Sequence, residues 1–92
     1  MDTDLIMSIW SVYIVQCKDG TYYTGISTDV DRRVKEHNGS SKGAKYTSSR
    51  RPVVLMWSEI QESQSVALKR ELAIKKLTRT QKETLWKSSK DI

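Results

Sequence analysis

Tyr13, Tyr23, Arg33, His37 and Glu71 form a spaced set of side chains with the chemistry to hydrolyse a phosphodiester. That reaction needs an activated water, stabilisation of charge on the phosphoryl oxygens and help for the leaving oxyanion. Arg33 offers planar, permanently charged donors to a phosphate. Glu71 offers one hard carboxylate, enough for a single Mg²⁺ or Mn²⁺, a type of cation that keeps several waters and needs few protein ligands. One carboxylate argues against a two-metal site. Either Tyr13 or Tyr23 can take the proton from water, but a phenol with a reference pKa of about 10 is a poor base at neutral pH. Arg33, His37 and a bound cation are expected to lower that value by favouring the phenolate.

Each side chain also has a structural use. Tyrosines pack on small sheets, an arginine on a helix shoulder snorkels, His37 before Asn38-Gly39 can cap a helix C-terminus, and Glu71 can pair with Lys75 one turn on. One site accounts for all the spacings together. Other chemistries lack their residues: the chain has no Walker loop, dinucleotide fingerprint or nucleophile elbow. It has one cysteine, Cys17, and one histidine, which excludes an intrachain disulfide and a structural zinc site built from Cys and His. Cys17 reads as a small strand residue rather than a nucleophile.

The elements that must position this set are short. Trp10 to Gln16 (WSVYIVQ) and Thr21 to Ile26 (TYYTGI) read as strands, with the turn signal Lys18-Asp19-Gly20 between them. A two-residue Asp19-Gly20 turn puts Tyr13 and Tyr23 on opposite faces. A three-residue loop with Gly20 left-handed pairs Cys17 with Thr21 and gives the two tyrosines one face as diagonal neighbours. The sequence permits both; the second is preferred because it collects Trp10, Val12, Ile14, Tyr22 and Ile26 on the other side. A helix follows, capped at Thr28, with Asp29 and Asp31 in its first turn, ending at Asn38-Gly39. On its wheel Val30, Val34 and His37 form one stripe with Arg33 at its shoulder, while Arg32, Lys35 and Glu36 point away. Asn38 to Arg51 (NGSSKGAKYTSSRR) reads as a loop. Val53 to Glu59 is a third strand whose run VVLMW predicts burial on both faces. Ser63 to Leu77 is a helix with Val66, Ala67, Ile74 and Leu77 on its main apolar face, Leu68 and Leu72 on a second, and Glu71 between them. Thr78 to Trp86 makes a last helix, capped at Thr78 or Thr80. The order ββα-loop-βαα implies an α/β fold with a small, mainly antiparallel three-stranded sheet flanked by helices.

The 92 residues suit one domain. The net charge of +5 is localised: residues 31–51 hold seven basic side chains against Asp31 and Glu36, and the remainder carries nine of each sign. Such clustering points to a polyanion partner, nucleic acid above all. Lys42, Lys45, Arg50 and Arg51 can meet phosphates, and Tyr46 among them can stack on an exposed base. No base-reading element is evident, so recognition by structure or backbone is expected. No apolar run approaches a membrane span, and the stretch Met1 to Trp10 has neither the length nor the flanks of a secretory signal. A cytoplasmic protein without a membrane partner is the resulting expectation.

At this point the chain resembles the GIY-YIG nucleases. Ser11-Val12-Tyr13 stands where that family has Gly-Ile-Tyr, and Tyr23-Thr24-Gly25 where it has Tyr-Ile-Gly. The family's arginine follows ten residues after the second tyrosine, as Arg33 does, and a histidine one helical turn later matches His37. Its metal-binding glutamate, on the helix after the third strand, matches Glu71. The stretches YTGISTDVDRRVKEHN, GAKYT and RRPV look like the small stand-alone bacterial members and like the nuclease domain of a structure-specific, junction-cutting endonuclease. The resemblance covers residues 10–86 and implies a single nuclease domain there, with 1–9 and 87–92 as flexible termini. It further implies a Mg²⁺-dependent endonuclease acting on DNA, branched or single-stranded, in repair or processing, with a protein partner there conceivable. In that scheme Tyr13 is the base and Tyr23 and His37 orient water or phosphate. Two departures stand out. Ser11 replaces the first glycine, and the late asparagine of homing and excision-repair members has no counterpart, Asn38 being too early. The second departure keeps open a catalytically inactive nucleic-acid-binding module on the same fold, or an interaction subunit whose basic loop docks a repair partner.

Overall fold

The hairpin decides which side chains can meet. In this computed structural model, which describes residues 9–39 and 42–87, β1 (Trp10–Gln16) and β2 (Tyr22–Ser27) are joined through the three-residue loop Lys18-Asp19-Gly20. Gly20 has φ 87°, a left-handed conformation open to a residue without Cβ. Its N–H donates to Cys17 O at 2.9 Å, and Cys17 N–H donates to Thr21 O at 2.8 Å. Asp19 Oδ1 accepts from both the N–H and the hydroxyl of Thr21. The register that follows sets Tyr13 opposite Gly25 and Val15 opposite Tyr23, so both tyrosines lie on one face of the sheet. The expected termini fall largely on residues 1–8 and 88–92, outside the described residues.

β3 (Val54–Gln61) pairs antiparallel with β1, giving the order β2-β1-β3 with a register shift between Ile14 and Val15. Expected burial of β3 on both faces is corrected here: Val54 is 60% and Ile60 74% exposed. Only β1 has a strand on each side and helices over each face. β3 is an edge strand, and among the described residues no layer covers Val54 and Ile60.

Helix α1 (Val30–Gly39) lies over the face that carries Tyr13, where Val30 and Val34 pack with Val15, Cys17, Val53 and Tyr23. Its cap is Asp29 rather than Thr28. The Asp29 carboxylate accepts from Arg32 N–H at 3.0 Å, and the buried Ser27 hydroxyl holds the Asp29 backbone at both its N–H and its C=O. A carboxylate in that place also faces the positive end of the helix dipole. The expected loop contains a short helix, α2 (Lys45–Ser48), with Thr47 wholly buried.

On the other face, α3 (Gln64–Lys75) and α4 (Arg79–Lys87) bury Ile74 and Trp86 against Val12 and Ile14. Ser63 caps α3, its hydroxyl accepting from Val66 N–H. Thr78 caps α4 in a reciprocal box, its hydroxyl accepting from Gln81 N–H while Gln81 Oε1 accepts from Thr78 N–H. The second apolar face of α3 stays open, with Leu68 and Leu72 exposed. No helix among the described residues is long and apolar enough to cross a membrane.

Candidate active site

The two phenols meet around a histidine. Tyr13 and His37 are both fully buried, and Tyr13 Oη lies 2.8 Å from His37 Nε2. The Tyr23 ring meets the same imidazole edge-on, with centroids 5.2 Å apart. β1 supplies the first tyrosine, β2 the second, and the inward stripe of α1 the histidine. Gly25 makes this possible: a Cβ there would come within 2.6 Å of Tyr13 Oη and 2.8 Å of its Cζ, so the Tyr13 ring lies across a bare stretch of β2.

The far side of the imidazole is fixed by the segment expected to be an irregular loop. His37 Nδ1 lies 2.8 Å from Thr47 Oγ1. Gly43 packs directly on α1, where a Cβ would stand 2.7 Å from Glu36 O. Asn38 ties the end of α1 to the entry of β3, donating to Val53 O at 3.0 Å and accepting from Val53 N–H at 2.6 Å. Arg51 adds a bond from Nε to His37 O. Thr47, Gly25 and Gly43 are site residues that reasoning on spacing missed. Gly25 stands in the motif Tyr23-Thr24-Gly25 and Gly43 and Thr47 in the stretch GAKYT, but what each touches depends on residues distant in sequence.

Burial governs the electrostatics. The expectation that neighbours lower the Tyr13 pKa is corrected: burial pushes it from 10.0 up to about 12, with the like charges of Tyr23 and Glu71 adding to the effect and Arg33 opposing it. Desolvation outweighs one partly exposed guanidinium. His37 is driven the other way, from 6.5 to about 4, by burial first and then by the positive charge of Arg33 and Arg51. It is a neutral imidazole near pH 7. That state and its two ring contacts displace the idea of His37 as a charged helix cap.

Arg33 stands beside Tyr13 at the helix shoulder, its side chain 24% exposed against 57% for Arg32. Glu36, expected to point away, is drawn in. Its carboxylate pairs with Arg33 Nη1 at 3.0 Å and with Arg32 Nε at 3.6 Å, and Arg33 Nη1 also donates to Lys42 O. Glu71 belongs to the opposite layer. Its carboxylate, 14% exposed, is paired with Lys75 at 3.3 Å, as its structural use foresaw, and its charge still reaches the Tyr13 phenol. Thus four of the five residues converge directly, while Glu71 approaches from the far helix.

Among the basic residues, Lys42 and Lys45 have exposed side-chain positions at the rim. Arg50 and Arg51 are instead built into the fold. Arg50 bonds Asp19 Oδ2 at 3.0 Å and Tyr46 O, and its guanidinium sits 4.0 Å over the Tyr46 ring. Tyr46 also stacks on Tyr23, centroids 5.9 Å apart. The aromatic set therefore runs Tyr46, Tyr23, His37, Tyr13. Cys17 is buried and its thiol pKa is raised by burial, consistent with a packing residue.

A single carboxylate, a buried phenol–imidazole pair and a guanidinium are a donor set suited to a hydrated hard cation and a phosphate. The chain is 60% identical over 80 residues to a UPF0213 protein of Desulfotalea psychrophila, covering 87% of this chain and 73% of that one. A UPF0213 protein of Halobacterium salinarum is 56% identical over 75 residues, covering 82% and 96%. Among solved structures, a UPF0213 protein from Bacillus halodurans matches with TM-score 0.53 and 48% identity over 84% of this chain and 81% of that one. The protein EF2693 from E. faecalis matches with TM-score 0.61 and 44% identity over 91% and 88%. The family model of the GIY-YIG catalytic domain spans residues 9–84, so this chain, with its paired tyrosines, arginine, histidine and glutamate in order, belongs to the GIY-YIG family of nuclease-type domains.

Proposed function

We propose that this chain is a divalent-metal-dependent endonuclease that hydrolyses DNA phosphodiester bonds without reading sequence, in DNA repair or processing. The observation that carries the reading is the buried contact of 2.8 Å between Tyr13 Oη and neutral His37 Nε2, with Arg33 beside it. A phenol held at about 12 is not a phenolate at neutral pH. It can still take a proton from water if its own proton leaves at the same time. His37, neutral and in contact, is the acceptor. The O–H bond of water breaks as one forms at Tyr13 Oη, and the Tyr13 proton passes to His37 Nε2. Arg33 exchanges Glu36 for a phosphoryl oxygen and stabilises the charge that develops there. Tyr23, packed against His37, limits the ring's movement.

Glu71 fits the role of the chain's metal ligand, as a hard carboxylate whose charge is felt at Tyr13. A Mg²⁺ or Mn²⁺ ion held there supplies Lewis acidity and bound water. DNA is the substrate class suggested by the family and by the basic excess of residues 31–51.

A supercoiled-plasmid nicking assay tests the proposal. Nicks are expected with Mg²⁺, none with EDTA, and none from Glu71→Ala, whose DNA affinity stays equal or rises. Cleavage that survives Glu71→Ala identifies a contaminant and removes the assignment. The second reading, a non-catalytic DNA-binding module, is favoured by Arg33 already being engaged by Glu36 and Lys42 O and by the missing late asparagine. Binding to branched, flapped or single-stranded DNA without cleavage would establish it.

A further inference from the structure

The proposed proton transfer works in one tautomer only. Tyr13 can hand its proton to His37 if Nε2 is bare, which in a neutral imidazole requires the hydrogen on Nδ1. What stands against Nδ1 therefore matters, and it is Thr47 Oγ1 at 2.8 Å.

A threonine hydroxyl has one proton to donate and lone pairs to accept with. Thr47 Oγ1 also lies 3.0 Å from Ala44 O, a carbonyl that can only accept. Ala44 O also accepts the N–H groups of Thr47 and Ser48; with the Thr47 proton directed to that carbonyl, the same oxygen accepts toward His37 and Nδ1 is the donor, which is the assignment proposed below. At the other end, Arg33 lies close enough for its charge to act on the Tyr13 phenol, and the direction of the Tyr13–His37 contact follows from the Nδ1 side. A competing contact, Ala44 N–H to Nδ1, is 3.5 Å long, at the limit of a hydrogen bond, against 2.8 Å for Thr47. His37 and Thr47 are both fully buried, so solvent does not supply an alternative partner for Nδ1.

We propose that Thr47 is a positioning residue that holds His37 as the Nδ1–H tautomer, fixing a one-way chain of hydrogen bonds Tyr13→His37→Thr47→Ala44 O. This deepens the nuclease reading and rests on it for its purpose, although the tautomer itself does not. The short helix α2 then has a reason to exist: it brings one buried hydroxyl to the back of the imidazole. The same geometry explains the bare Gly43, since close packing of that segment on α1 is what brings Thr47 within reach.

The chain contains a single histidine, so the ¹⁵N and ¹H signals of its imidazole can be assigned without ambiguity. In the full-length wild-type protein near neutral pH, the protonated, pyrrole-type nitrogen is expected to be Nδ1. Finding the hydrogen on Nε2 overturns the proposal. In Thr47→Val the remaining polar neighbour of Nδ1 among the described residues is the Ala44 N–H, which favours a bare Nδ1, so the tautomer shifts toward Nε2–H. Thr47→Ser keeps the hydroxyl and is expected to retain Nδ1–H. A Thr47→Val protein that keeps the wild-type tautomer overturns the role of Thr47. Should Thr47→Val not fold, the wild-type and Thr47→Ser spectra decide. Plasmid nicking is expected to fall about 10- to 100-fold in Thr47→Val, the scale typical of lost outer-shell partners of a working histidine, and to recover in Thr47→Ser. Unchanged nicking in a folded Thr47→Val protein counts against the proposal. A wild-type protein with Nδ1–H but no nicking rejects the nuclease reading and leaves the tautomer assignment standing.

Discussion

His37 stores part of its environment in its charge state. Its native pKa of about 4 lies below the 6.5 of the unfolded chain, so between those values the unfolded state holds more protons. Stability from this residue is therefore complete above about pH 6.5 and is lost as pH falls through 4, a total of about 3 kcal/mol at 1.36 kcal/mol per pH unit. Urea midpoints should drop across that window in the wild-type protein, and His37→Gln should lack this component of the drop. Tyr13→Phe keeps the ring and removes the hydroxyl. It is expected to abolish nicking and to cost about 1–3 kcal/mol, because His37 Nε2 is left buried without its partner. Nicking by Tyr13→Phe at the wild-type rate would reject Tyr13 as the proton acceptor.

At the scale of elements, close approach matters more than propensity. β2 serves the site by what residue 25 lacks. In Gly25→Ala the new methyl meets the Tyr13 phenol at 2.6–2.8 Å, so the ring must swing out and lose His37. A loss of about 1–3 kcal/mol in chemical denaturation is expected, together with lost nicking. Gly39→Ala is the matched control. Nothing among the described residues lies within 4 Å of a Cβ there and the residue ends α1, so stability should hold or rise by up to about 1 kcal/mol. If the two substitutions behave alike, packing around Tyr13 is not what Gly25 is for. The helix end is similarly specific: Asn38, too early to replace the absent asparagine of the family pattern, acts as an extra strand partner for Val53.

Across the whole molecule, charge is segregated while the apolar core is split. One core lies under α3 and α4 and the other under α1, with β1 common to both. The basic excess gathers on the α1 side, around the tyrosine–histidine cluster. If that side docks DNA through about 4–6 phosphates, the logarithm of affinity should fall against the logarithm of salt concentration with a slope of about −4 to −5 for duplex. A slope near −1 would show that the patch is not the docking surface. Lys42 and Lys45 contribute directly on this view, together with the exposed Arg32 and Lys35 of α1 and the partly exposed Arg33. Arg50 and Arg51 act mainly by bracing the segment, through Asp19, Tyr46 and His37 O.

Much of this was legible in the chain itself. Alternation in β1 and β2, the Lys18-Asp19-Gly20 signal and the stripe of α1 are local patterns; they set the helix face and narrowed the hairpin to two registers, of which the one that collects the apolar residues brings Tyr13, Tyr23, Arg33 and His37 to one face. Burial of β3 could not be read that way, because whether a strand lies at an edge depends on how many strands assemble beside it. Nor could the inward turn of Glu36, the contact of Thr47 with His37 or the rise of the Tyr13 pKa. Each depends on which atoms distant in sequence become neighbours and on how completely they exclude water. Desolvation is a property of the assembled layers, and no spacing of residues encodes it.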